Sequence, residues 1–193
     1  MEENRNNTKT IVTVVAVIAV VLGLLFIGNS VKNRFFSKSP QEQQTQDVED
    51  VSIELPDGWG EVKLTASDQK AAIIARRERS NPNASLIIRK IVGQLDENFD
   101  IKTLPEALVA TFSTELKGFT LVDKEVKKFG GFETAQVHYK QTTKGETFEN
   151  LIVVMPTANQ TFYLTFRASE DDFAEAQDDF DTIVTDFADF VKT

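Results

Sequence analysis

The chain has 193 residues, 41% of them hydrophobic, and a formal charge of -9 at pH 7, which is room for one domain of ordinary size with appendages. Residues 1–47 hold five Lys/Arg and four Asp/Glu, leaving sixteen against twenty-six for the rest, so the folded part is acidic and repels nucleic acid and anionic head groups unless a local basic patch overrides the average. Cysteine is absent, which excludes disulfides, thiolate metal sites, a cysteine nucleophile and lipidation through cysteine.

Residues 1–10 are a short polar tail. Ile11 to Ile27 carries no charge and is rich in Val, Ile, Leu and Ala. At helical rise it spans roughly 26 Å, and with bordering residues 11–28 is expected to cross a membrane as a helix. A cleavable signal peptide is the competing reading, since Gly28 and Ser30 offer small residues for cleavage after Ser30. The run exceeds the usual signal core, which favours an uncleaved anchor. Arg5 and Lys9 before it and Lys32, Arg34 and Lys38 after it do not settle its orientation by charge. Residues 29–50 mix Ser, Pro, Gln and acids and read as a juxtamembrane segment and flexible tether. The globular domain is assigned to 51–193.

Val51, Ile53 and Leu55 alternate as a short strand ended by Pro56-Asp57-Gly58-Trp59, a turn sequence. The lone tryptophan, Trp59, reads either as a plug closing the core or as a partner-facing aromatic. Ala71 to Glu78 and Ser85 to Val92 form a hairpin across Asn81-Pro82-Asn83. It carries Arg76, Arg77, Arg79, Arg89 and Lys90, the densest basic cluster in an acidic domain and a candidate anion-binding or partner-binding patch. The alternative is cross-strand pairing with Glu78 and with acids of a neighbouring element.

Thr103 is expected to cap a helix through a box with Glu106, with Pro105 in its first turn, Leu104, Leu108, Phe112 and Leu116 as its buried stripe, and Gly118 as its stop. Phe119 to Phe129 follows as a strand. Gly130-Gly131 then turns the chain into three antiparallel strands: Phe132 to Thr143, Thr147 to Met155 and Thr161 to Ala168. Lys144-Gly145 and Ala158-Asn159 supply their turns. Leu151 to Met155 is apolar on both faces and suits a strand covered above and below. Ser169 caps the last helix, whose apolar face is Phe173, Ala176, Phe180, Ile183, Val184, Phe187 and Val191.

Little here points to catalysis. His138 is the only histidine, placed beside Gln136 and Lys140 on the face opposite Ala135 and Tyr139, without the company a metal site or proton shuttle needs. Glu170, Asp171, Asp172, Glu175, Asp178, Asp179 and Asp181 read as the solvated side of the last helix. No nucleophile elbow, phosphate loop or calcium loop occurs, and no cofactor is implied. A carboxylate pair leaves no local signature, so a carboxylate-dependent hydrolase stays open as a minor alternative.

The succession Leu55-Pro56-Asp57-Gly58-Trp59, basic hairpin, Thr103 helix, Gly130-Gly131 with Ala135, two further strands and a Phe-rich closing helix resembles the PsbP-like superfamily, over about Val51 to Val191. That resemblance implies an α+β fold, an antiparallel sheet of about six strands sandwiched between helices. It also implies a non-catalytic accessory or assembly factor at the outer side of a membrane, with a protein partner in the cell envelope. The histidine metal sites and cysteine lipid anchors of some members have no counterpart residues here, and 11–28 stands in for the anchor. A small-molecule or anion carrier using the hairpin cations is the alternative role.

Overall fold

The computed structural model describes Val51, residues 53–92 and residues 100–192. The expected tail, membrane helix and tether at 1–50 lie outside the described residues. No helix among the described residues is long and apolar enough to cross a membrane.

Seven strands form one sheet: β1 (Trp59–Glu61), β2 (Ile73–Ser80), β3 (Asn83–Val92), β4 (Phe119–Phe129), β5 (Phe132–Thr143), β6 (Glu146–Pro156) and β7 (Gln160–Ser169). Their order is β1-β2-β3-β7-β6-β5-β4, and every neighbouring pair is antiparallel. Among the described residues three α-helices accompany them: α1 (Ala66–Lys70), α2 (Leu104–Glu115) and α3 (Glu170–Phe190). The class is the expected one, an antiparallel sheet between helices, with seven strands rather than about six.

Register follows from two tight turns. Lys144 (φ 54°) and Gly145 (φ 87°) close β5 onto β6, and Gly130 (φ 54°) with Gly131 (φ 95°) closes β4 onto β5. Paired positive φ values match the right-handed twist of a two-residue hairpin. Because side chains alternate, that register decides which residues share a face. On one face α3 sets Phe173, Phe180, Ile183 and Phe187 against Leu86, Ile88, Val153, Phe162, Leu164 and Phe166. On the other, α2 sets Leu104, Leu108, Phe112 and Leu116 against Ala135, Val137, Tyr139, Ile152 and Val154. β6 is buried on both sides from Asn150 to Met155, as its two-sided apolar run required.

Two local expectations change. Val51 and Ile53 to Leu55 do not form a strand. The outer edge of β2 is taken by β1, with Trp59 opposite Arg79 and Glu61 opposite Arg77, while the Arg77 side chain donates to the Val51 carbonyl at 3.0 Å. Thr103 makes no side-chain cap. A 3-10 turn, Ile101–Thr103, precedes α2, and Asp100 caps it by accepting the Lys102 amide at 3.0 Å. A capping box does exist at α1, where Thr65 accepts the Asp68 amide at 3.1 Å and Asp68 accepts the Thr65 amide at 2.9 Å. Ser169 caps α3 as expected, accepting the Asp172 amide at 3.2 Å.

β4 is the longer edge strand. A bulge between Leu121 and Asp123 interrupts its pairing, and Val122 at the bulge is 45% exposed.

Phe180 touches Phe166 and Phe173 and meets Trp59 edge-on, so Phe180→Ala should cost about 3–5 kcal/mol, read from the urea midpoint. Burial alone would raise the Asp68 carboxyl, but the Thr65 amide and hydroxyl and Arg76 outweigh it and hold it below its ordinary value. A depressed folded pKa contributes stability above the unfolded value that is lost as pH falls through the folded one. Asp68→Asn should therefore flatten the acid limb of the stability profile below about pH 4.

Candidate functional site

Alternation divides the basic hairpin. Arg77, Arg79 and Lys90 fall on the α3 face, with Lys90 opposite Phe162, while Arg76 and Arg89 fall on the α2 face, with Arg89 opposite Tyr163. The five cations do not converge. Arg76 lies 3.3 Å from Asp68 and 3.9 Å from Glu78, and Arg77 lies 2.7 Å from Glu61. Arg79 pairs with Asp179 of α3. This is the cross-strand and strand-to-helix pairing given above as the alternative. Burial draws the Arg89 guanidinium down to about 10, against the pull of the Tyr163 phenol, and it keeps its charge at neutral pH.

Trp59 is 9% exposed. Its ring meets Phe180 edge-on at 5.9 Å, and its indole N–H donates to Asp179 at 2.8 Å. Asp179 thus accepts from Trp59 on β1 and Arg79 on β2 together, and the tryptophan closes that end of the core as a plug.

A second cluster lies on the same face of the sheet, between α3 and β4–β5. His138 has the company that its sequence neighbourhood did not reveal. Its Nε2 is 2.7 Å from Glu149 on β6, and its ring stacks on Phe173 at 4.5 Å with 15° between planes. Lys140 bridges Glu149 at 3.0 Å and Glu170 at 2.6 Å. Hydrogen bonds to Glu170 first, and then to Glu149, raise the lysine's pKa. Beside the cluster is a shallow groove of about 80 Å³ whose lining includes Asp123, Gln136, His138, Leu151, Phe173 and Asp181. Gln136 is 5% exposed and its amide nitrogen has no hydrogen-bond partner. Among the described residues no three His, Asp or Glu groups stand where they could hold a metal ion.

Glu149 and Gln136 were not singled out from the sequence, although the Lys144-Gly145 turn fixes the pairing that puts Glu149 opposite Lys140 and Leu151 opposite His138. Nor were the helix acids all solvent-facing. Glu170, Asp179 and Asp181 tie α3 to Lys140, Arg79 and Lys127 of the sheet.

The fold and its sites define a class: an antiparallel sheet roofed by one helix on each face and pinned by ion pairs between α3 and the strands. The family model described as Probable lipoprotein LpqN matches residues 30–188, and the chain belongs to that LpqN lipoprotein family. LpqN of Mycobacterium tuberculosis, described as involved in cell envelope biogenesis, superposes with a TM-score of 0.50 and 19% identity, over 69% of this chain and 79% of that one. Cyanobacterial PsbP from Synechocystis gives 0.49 and 16%, over 69% and 83%. A Pseudomonas aeruginosa protein of unknown function gives 0.47 and 11%, over 70% and 84%. At such identities the likeness speaks for the fold alone, an antiparallel sheet with flanking helices. No curated protein matches the chain in sequence.

Asp179→Ala leaves the partly buried Arg79 and the Trp59 N–H without their carboxylate. It should cost about 1–3 kcal/mol and red-shift the tryptophan emission as the plug loosens. The neighbouring exposed Asp178→Ala should stay within about 0.5 kcal/mol.

Proposed function

We propose that the chain is a non-catalytic accessory protein of the cell envelope. In this reading 11–28 anchors it in the membrane, the domain stands on the outer side, and it assists the assembly or stability of an envelope protein complex. Membership of the LpqN lipoprotein family supports an envelope setting, and the M. tuberculosis relative described as acting in envelope biogenesis supports the biological direction. With no cysteine in the chain, attachment falls to the apolar run.

One observation carries the non-catalytic part. The only histidine is clamped between the Glu149 carboxylate and the Phe173 ring, and the adjacent lysine spans two carboxylates. Those groups join α3 to the sheet, which is a structural use of the residues that would otherwise be first choices for acid–base chemistry. The alternative of an anion carrier on the hairpin has weaker support, because Arg76, Arg77 and Arg79 would each have to give up a carboxylate.

The test uses cells making the full chain from which the wild-type copy is deleted. His138→Gln and Glu149→Gln should lower stability yet preserve both crosslinking to an envelope protein and rescue of the deletion. Loss of rescue with the protein folded and at normal abundance would point to chemistry at His138 instead. Ser67→Cys, on exposed α1 of a thiol-free chain, should react with an impermeant maleimide in intact cells. Labelling only after lysis would overturn the outward orientation.

A further inference from the structure

The α2 face of the sheet is unevenly covered. α2 packs on β4 and β5, its core extends to Ile152 and Val154 of β6, Tyr163 of β7 and Ile91 of β3, and α1 packs against β2. One cross-strand row runs along it. Glu78 is opposite Ser85, Ser85 opposite Arg167, Arg167 opposite Asn150, and Asn150 opposite Tyr139. The adjoining row is Ile87, Thr165, Ile152 and Val137, mostly apolar. A sheet face meant only to be packed would not place a hydroxyl, a guanidinium, a carboxamide and a phenol side by side.

Two members of the row are unexplained by packing. Tyr139 is 0% exposed, and its hydroxyl has no hydrogen-bond partner, a defect on the order of 1–3 kcal/mol that phenylalanine would avoid. Arg167 lies over the Phe148 ring at 3.9 Å, and among the described residues no carboxylate stands within ion-pair distance of it. Glu146 and Tyr139 act on it only at longer range, and partial burial pulls its pKa below the ordinary arginine value. Asn150, between them, is 2% exposed and donates only a long 3.3 Å bond to the Phe148 carbonyl. Arg76, Arg77 and Arg79 are each matched by an acid, whereas Arg167 has no carboxylate beside it among the described residues.

We propose that Arg167, with Ser85 and Asn150 on either side and the Tyr139 hydroxyl behind, is a binding site for a phosphoryl oxyanion. The Phe148 ring orients the guanidinium, leaving its N–H edge for bidentate contact with two oxygens. The carboxamide and the two hydroxyls donate to the remaining oxygens, which gives the phenol its missing acceptor. Phosphate is favoured over a carboxylate because neighbours on both sides of the guanidinium offer more donors than two oxygens can use. The assignment rests on sheet geometry and is independent of the accessory role, so either can fail alone.

Calorimetry on the full chain in detergent micelles tests it, with three probes: inorganic phosphate, glycerol 3-phosphate and dihexanoylphosphatidylglycerol. Saturable binding of the small phosphates identifies a soluble ligand, and binding of the short-chain lipid alone identifies a head group with its acyl chains. In either case Arg167→Gln should weaken binding at least tenfold, Arg167→Lys should fail to restore it, and Tyr139→Phe should weaken it severalfold while the melting temperature holds or rises. Lys144→Gln, in the distant β5–β6 turn, should bind as wild type. Absence of saturable heat with all three probes overturns the site, as does equal binding by wild type and by an Arg167→Gln variant with unchanged near-ultraviolet circular dichroism.

Discussion

The structure depends on the aromatic seam between α3 and the sheet. Phe173, Phe180 and Phe187 enter the groove formed by Leu86, Ile88, Leu164, Phe166 and Phe162, and their rings meet one another and the strand aromatics at 4.3 to 5.5 Å. Each such side chain contributes roughly 1.5–3 kcal/mol when removed from water, with further gain from tilted and edge-on ring contacts. Remove the helix, and a continuous apolar surface across β2, β3, β7 and β6 would face solvent. The opposite face has a smaller roof: α2 and the aromatic trio Phe112, Phe119 and Tyr139.

Apolar contacts are non-directional and leave α3 free to slide or roll. Polar contacts remove that freedom. Glu170 at its first turn meets Lys140, Asp179 meets Arg79 and Trp59, and Asp181 meets Lys127. The exposed pairs add little free energy, but together they select one rotation and one axial position of the helix. An acidic helix on a strand layer with inward-leaning cations is therefore a matched pair. Of the hairpin's basic residues Arg79 makes that match, together with the lone histidine and its neighbour Lys140.

Much of this was legible because local signals agreed with the global outcome. Phe119–Phe129, Phe132–Thr143 and the Ser169-capped helix follow from alternation, paired glycines and a four-residue apolar step, each strong alone. Val51 to Leu55 misled because alternation reports a half-buried segment and not a hydrogen-bonded one: Val51 is buried without joining the sheet. Thr103 misled because it closes a 3-10 turn with helical backbone angles, and its hydroxyl donates back to the Asp100 carbonyl instead of capping α2. The sites were harder. The turns at Lys144-Gly145 and Ala158-Asn159 already set Tyr139, Asn150 and Arg167 in one row, so register could have revealed that line of polar groups. Partner identity across the fold could not be read, since nothing near Arg79 in sequence names Asp179, one hundred residues later.

The finish of the sheet's two borders has a consequence of its own. One border is only three residues of β1, and the other, β4, is broken by its bulge and studded with Asp123, Lys124, Glu125, Lys127 and Lys128. Neither offers the long, flat, uncharged ladder on which a neighbouring molecule could templately extend itself. Edges finished in this way disfavour main-chain pairing between neighbouring molecules and leave side chains as the favoured means of contact.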